Sequence, residues 1–216
     1  MLQYKRCRYV KLPAPLSVFN MRSARFFLVL YILFYICLPS FSQPRIRDVF
    51  AEAPDSIFPL LTKNNRLDQI DFRENNMQAV VKNKFEDRVE LTVLTDQYLQ
   101  LRLSERCTVE MRLLSDSTFC MVQTYNAPAP DSHVRLFDTK WNELPQIIQR
   151  PAVDDFLSED VDTDVRLSLQ ALPLIKASLS ENDDNITWQL QTSELTREQQ
   201  KKVEGKVHEI LSLPQP

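Results

Sequence analysis

In "DSHVRLFD", His133 and Arg135 share one face of an extended chain, with Asp131 ahead of them. An acid, an imidazole and a guanidinium in that order suit proton transfer or the holding of an anion. Spacing alone sets no nucleophile and no second carboxylate beside them, so a solvated strand edge is the plainer expectation. A second polar set, Lys63, Asn64, Asn65, Arg66, Asp68 and Asp71, is dense enough to be a binding surface. The water-facing side of a helix has the same composition. The acids Asp154, Asp155, Glu159, Asp160, Asp162 and Asp164 offer oxygen ligands for Ca²⁺, but not at the alternating positions, closed by glycine, of an EF-hand loop. A solvated, disordered loop is expected there.

Several chemistries are excluded by what the chain lacks. It has a single glycine, Gly205, where average usage would give roughly 15. Phosphate-cradling loops and the G-x-S-x-G nucleophile elbow need glycine for close backbone approach, and neither is present. His133 and His208 are not spaced as a zinc pair, and there is no Cys-x-x-Cys. No cofactor or metal is expected. Asp55-Ser56-Ile57 and Asp116-Ser117-Thr118 match a bacterial O-glycan acceptor pattern at Ser56 and Ser117.

The elements that must position these residues follow from periodicity. Residues 55–76 predict two short helices, one opened by Asp55 or Ser56 and carrying Ile57, Leu60 and Leu61, the other opened by Thr62 and carrying Leu67 and Ile70. The Asn64-Asn65 pair is the expected weak point. From Met77 the period becomes two, and "RVELTVL", "QYLQLRLS", "CTVEMRLL" and "TFCMVQTY" succeed one another too closely for crossover helices. An antiparallel meander results.

Keeping apolar residues on one face sets Val93 opposite Leu99, Leu91 opposite Leu101, and Leu99 opposite Met111. Glu90 then faces Arg102. With a loop at Ser115–Ser117, Cys107 faces Tyr125 and Cys120 faces Arg112, far beyond disulfide reach, so two inert thiols are expected rather than a bridge or a catalytic pair with His133. Asp96 or Asp116 would have to take the left-handed position that hairpin loops usually give to glycine. A strand "HVRLFD", a hairpin from "LPLIKASL" and "NITWQLQT", and a helix opened by the Thr196/Gln199 capping box complete the chain. Val203, Val207, Ile210 and Leu211 would form that helix's stripe. The fold class is α+β: an antiparallel meander sheet with short N-terminal helices and a C-terminal amphipathic helix packed on one face.

Ahead of all this, six basic residues precede an apolar run of 13 residues, Phe26–Leu38, which falls short of the about 20 needed to span a bilayer. Pro39 and the small residues Ser40 and Ser42 follow. Residues 1–42 therefore read as a secretory signal cleaved between Ser42 and Gln43, leaving no membrane span, with Met21 the expected true start. All 29 acids and 20 of the 26 bases lie beyond Ser42, leaving a net charge of −9 that repels a phosphate backbone, so no nucleic-acid partner is expected. Residues 43–145 carry the first helices and the meander; residues 146–216 carry a connector, the hairpin and the last helix, packed with the first part as one unit.

"LLTKNNRLDQIDF" (Leu60 to Phe72), "LTDQYLQLRLS" (Leu94 to Ser104) and "TVEMRLL" (Thr108 to Leu114) resemble a family of uncharacterised exported proteins of Bacteroides-type bacteria, a domain of unknown function. The resemblance implies a periplasmic or secreted protein and brings no catalytic residues with it. Two functions are expected to compete: a non-enzymatic module binding an envelope protein or glycan, and a carboxylate-dependent hydrolase of the cell envelope tested at Asp68, Asp71 and His133.

Overall fold

The computed structural model describes residues 43–145 and 148–214. The expected export signal, Ser42 included, lies outside the described residues. Helices α1 (Ile46–Ala51) and α2 (Lys63–Glu74) precede six strands, β1 (Ala79–Lys82), β2 (Arg88–Leu94), β3 (Tyr98–Ser104), β4 (Cys107–Leu113), β5 (Thr118–Asn126) and β6 (Pro130–Asp138). These pair in sequence order, all antiparallel, as the closely spaced period-two segments require. A 3₁₀ turn (Val153–Phe156), α3 (Thr163–Ala171), β7 (Ile175–Leu179), β8 (Ile186–Leu190), α4 (Arg197–Val203) and β9 (Ile210–Ser212) follow, with β7, β8 and β9 forming a second sheet. No helix of the described residues is long and apolar enough to cross a membrane.

The register agrees with the apolar pattern at Glu90↔Arg102, Leu91↔Leu101, Leu99↔Met111, Cys107↔Tyr125 and Arg112↔Cys120. It departs between Arg102 and Ser104, where Ser104 pairs with Cys107, and again at the end of β2. Val93 meets Gln100 rather than Leu99, and Leu94 takes the place opposite Leu99. Thr92 is the extra residue, its Oγ1 donating to the Gln100 carbonyl (3.0 Å) and side-chain oxygen (2.8 Å). The bulge turns Val93 toward one core cluster and Leu94 toward the other. Neither Asp96 nor Asp116 takes a left-handed conformation; positive φ occurs instead at Asn76, Glu86, Trp141 and Gly205. Thr95 and Ser115 explain this, because each hydroxyl accepts two backbone N–H groups of its own loop and closes the turn without glycine.

One face of the large sheet carries Leu91, Leu99, Leu101, Met111, Phe119 and Phe137, packed beneath Phe50, Phe58, Leu61 and Ile70. Trp141 closes this core edge-on to Phe58 and Phe119 and donates its indole N–H to the Val49 carbonyl at 2.8 Å. The helix expected over residues 55–61 is a run of turns instead. Pro59 would break a helix there, and the Arg66 guanidinium draws in the carbonyls of Ala53 (2.5 Å) and Leu61 (2.7 Å). The second expected helix forms as α2, with a capping box between Thr62 and Asn65. Asn65 thus strengthens the start of the helix rather than weakening it. The buried face of α2 is the expected one at Ile70 but not at Leu67. Arg66 (1% exposed), Gln69 and Ile70 point inward while Leu67 is 43% exposed. Gln69 donates to the Ala79 and Val89 carbonyls, so α2 is held to β1 and β2 by buried polar groups.

On the opposite face, Tyr98, Cys120, Val122 and Leu136 pack against Phe156, Val165, Leu169, Ile175, Ile186 and Trp188. The acid-rich stretch expected to be disordered contains the 3₁₀ turn and α3. Val161, Val165 and Leu169 bury themselves, and Asp154, Asp160 and Asp162 are each met by a cation, Arg166 (2.6 Å), Lys206 (2.8 Å) and Lys202 (2.8 Å). Helix α4 opens at the Thr196/Gln199 capping box as expected but ends at Val203. Gly205 follows at φ +73°, Val207 bridges to Leu157, and Ile210 and Leu211 lie in β9. The four apolar residues expected to share one helical stripe are divided between a helix, a bridge and a strand.

Strand β7 crosses over the large sheet, and the seam is made by side chains. The N–H groups of Ile175, Ala177 and Leu179 donate to Asp131 Oδ1 (3.0 Å), Ser132 Oγ (2.9 Å) and Glu110 Oε2 (2.7 Å). Arg150 donates to the Pro173 carbonyl, and Arg112 to those of Ser180 and Glu181. A free strand edge is thereby satisfied along its length without a neighbouring strand.

Candidate functional site

The structure disperses the residues that spacing had grouped. Asp131 is drawn into the seam, where it also receives Arg150 at 2.7 Å. Arg135 lies 5.1 Å from the Phe137 ring centre and 3.9 Å from the Glu143 carboxylate. His133 is exposed opposite Gln123 and has no ion pair among the described residues. Asp68 and Asp71 are exposed on α2, which packs on β1 and β2. Four strand spacings, about 19 Å, separate β2 from the His133 strand. Of the α2 set, Asn64 is exposed, Asn65 is occupied by the cap, and Arg66, expected at the surface, is buried. Ser56 and Ser117 are both exposed, the latter at the β4–β5 hairpin tip.

Among the described residues a surface hollow of about 1010 Å³ lies elsewhere, between α4, the end of β8 and the segment leading into β9. Helix α4 supplies one wall through Arg197, Gln200, Lys201 and Glu204; residues 189–193 form the floor; Val207, His208 and Glu209 form the other wall. Local chemistry fixes each part. Gln200 Nε2 donates to the carbonyls of Thr192, Ser193 and Leu195, tying the floor loop to α4. Gln189 Nε2 donates to Glu209 Oε1 at 2.6 Å, tying floor to far wall. The left-handed Gly205 turns the chain out of α4, and the His208 N–H bonded to the Phe156 carbonyl at 3.0 Å sets the path into β9. An added Cβ at Gly205 would meet nothing within 4 Å, so glycine is required there by conformation and not by space.

The cations of this region divide between two sides. Lys202 and Lys206 pair with Asp162 and Asp160, whereas the side chains of Arg197 and Lys201, one helical turn apart, line the groove and make no ion pair or hydrogen bond with any described residue. Sequence reasoning located α4 through its capping box and singled out Gly205, but it did not bring Arg197, Lys201 or His208 to one place. The i,i+4 spacing of Arg197 and Lys201 was the available signal; the fold-back after Gly205, which builds the second wall, has no local signature. Three smaller hollows lie along Arg88, Glu90 and Arg102, beneath Pro59 and Leu60, and between Arg47 and Arg73. Among the described residues no three His, Cys, Asp or Glu side chains gather as metal ligands.

A domain of an uncharacterised protein from Porphyromonas gingivalis W83 has a similar structure, with a TM-score of 0.66 at 22% identity over 79% of this chain and 93% of that one. At that identity the likeness concerns the fold. No curated protein matches the sequence. The pattern of the family described as "Protein of unknown function (DUF3256)" spans residues 39–212, and the chain belongs to that family.

Proposed function

We propose that the chain is an exported, non-catalytic module of the bacterial envelope that binds a glycan or protein there through the groove beside α4. One observation carries the reading: the hollow beside α4 is polar and open, its amide groups are spent on holding its own walls, and two cations line it without partners among the described residues. Export is supported by the basic, short-apolar, small-residue order of residues 1–42. The net charge of −9 beyond Ser42 disfavours nucleic acid.

The test has two parts. Intact-mass measurement of the protein released from the producing cell is expected to give an N-terminus at Gln43, and retention of residues 26–42 in the membrane fraction refutes export. Incubation of that protein with envelope polysaccharide is expected to give co-sedimentation without new reducing ends. Release of reducing ends refutes the non-catalytic reading in favour of a carboxylate-dependent hydrolase.

A further inference from the structure

The groove's chemistry is more specific than its shape. Neither wall nor floor carries a Phe, Tyr or Trp ring, so a neutral sugar would find no broad apolar surface to rest on. The apolar lining is limited to Leu190, Val203 and Val207, of which the first two are buried. A protein partner would therefore find no desolvated pocket for the aromatic or aliphatic anchor on which protein interfaces depend. What the lining offers is hydroxyls, at Thr192 and Ser193, and the amide oxygens of Gln191 and Gln200, whose nitrogens are already engaged. Such a surface suits a ligand bearing many hydroxyls.

Charge supplies the rest. Arg197 and Lys201 stand on the same wall with no counter-ion, in a chain whose other α4 cation, Lys202, is neutralised by Asp162 at 2.8 Å. Of the two carboxylates in the groove, Glu209 is occupied by Gln189 at 2.6 Å, leaving Glu204 unengaged. A guanidinium and an ammonium one helical turn apart, about 6 Å along the helix axis, can hold an anionic group between them, the guanidinium through two parallel hydrogen bonds.

We propose that the groove takes an anionic saccharide, its carboxylate or sulfate held by Arg197 and Lys201 and its hydroxyls by the Gln and Thr/Ser groups of the floor. This rests on the reading of the groove as the ligand seat. The surrounding negative charge repels an anion at distance, so binding depends on these short contacts and on little long-range attraction.

Calorimetric titration of the exported protein with oligogalacturonate, with heparin-derived sulfated oligosaccharide and with neutral malto-oligosaccharide tests the assignment. At least one acidic ligand is expected to bind about tenfold or more tighter than the neutral one, and which of the two does so distinguishes carboxylate from sulfate. The double variant Arg197→Gln, Lys201→Gln is expected to lose about tenfold in that affinity while keeping the wild-type melting temperature, since neither side chain has a partner to lose. Lys202→Gln, outside the groove and paired with Asp162, is expected to bind as wild type does. Acidic binding unchanged in the double variant overturns the proposal, as does the absence of binding to any of the three ligands. Equal binding of the neutral ligand also overturns it, but leaves the non-catalytic module intact. New reducing ends appearing in the titration cell overturn the module reading itself.

Discussion

Ser132→Ala tests the seam between the two sheets at its centre. Ser132 Oγ accepts the Ala177 N–H at 2.9 Å and shares a hydrogen bond of 2.8 Å with Thr124 Oγ1, and Ser132 and Ala177 are 4% and 1% exposed. Removing the hydroxyl leaves a backbone N–H in a site water does not reach. A buried donor stranded in this way costs about 1–3 kcal/mol, and the lost side-chain pair lies within that range, so about 2 kcal/mol of destabilisation is expected. For a chain of this size that corresponds to a fall of about 4–8 °C in melting temperature.

Urea unfolding followed by tryptophan fluorescence reports on both sides of the sheet, because Trp141 lies in one core and Trp188 in the other. Thr124→Val is the control. It removes the partner hydroxyl but leaves Ala177 paired, and should cost less than Ser132→Ala, about 1 kcal/mol. The reasoning is refuted if Ser132→Ala unfolds within about 0.5 kcal/mol of wild type, or if the two variants are equally destabilised.

Burial raises the Glu110 carboxyl above its ordinary value despite the opposing hydrogen bond from Leu179. The folded state therefore holds that proton more tightly than the unfolded chain, and the stability Glu110 contributes is full below the ordinary carboxylate range and lost as pH rises through the folded value. Glu110→Gln should thus gain on wild type in denaturant midpoint between about pH 4 and pH 7, and wild type gaining on the variant over that interval counts against the assignment. Arg66→Leu strands the Ala53 and Leu61 carbonyls and should cost at least about 2 kcal/mol, with the loss of amide protection concentrated in residues 51–62; uniform loss along the chain contradicts this. Burial pushes the Cys120 thiol up to about 12, so it should resist alkylation until the protein unfolds, and non-reducing peptide mapping should recover no peptide joining Cys107 to Cys120.

The meander was legible because alternation carries both strand identity and register. Leu91, Leu99, Leu101, Val109 and Met111 lie on one face under almost any loop assignment that buries them. What escaped was decided by groups distant in sequence. The turns at residues 55–61 answer to Arg66, and the inward face of α2 answers to backbone carbonyls of β1 and β2, so counting apolar residues pointed to Leu67 instead. Helix α3 escaped because the acids just ahead of it dominate the composition, while the cations that meet Asp160 and Asp162, Lys206 and Lys202, sit 40 or more residues further along. The candidate site was least legible of all. Its two walls meet through the turn at Gly205, and no periodicity in Val203, Val207, Ile210 and Leu211 distinguishes one continuing helix from a helix that folds back into a strand.

The seam also redistributes evolutionary constraint. A strand in the interior of a sheet bonds through the backbones of its neighbours, which any residue except proline can supply, so its partners drift freely. The edge of β7 bonds instead to Glu110, Asp131 and Ser132, whose side chains are specific. Lys176 and Ser178, whose side chains are partly exposed between the buried Ile175, Ala177 and Leu179, are then open to exchange. Positions 110, 131 and 132 must keep an acceptor that reaches. Selection on the course of β7 falls on residues of the other sheet, more than 40 positions earlier in the chain.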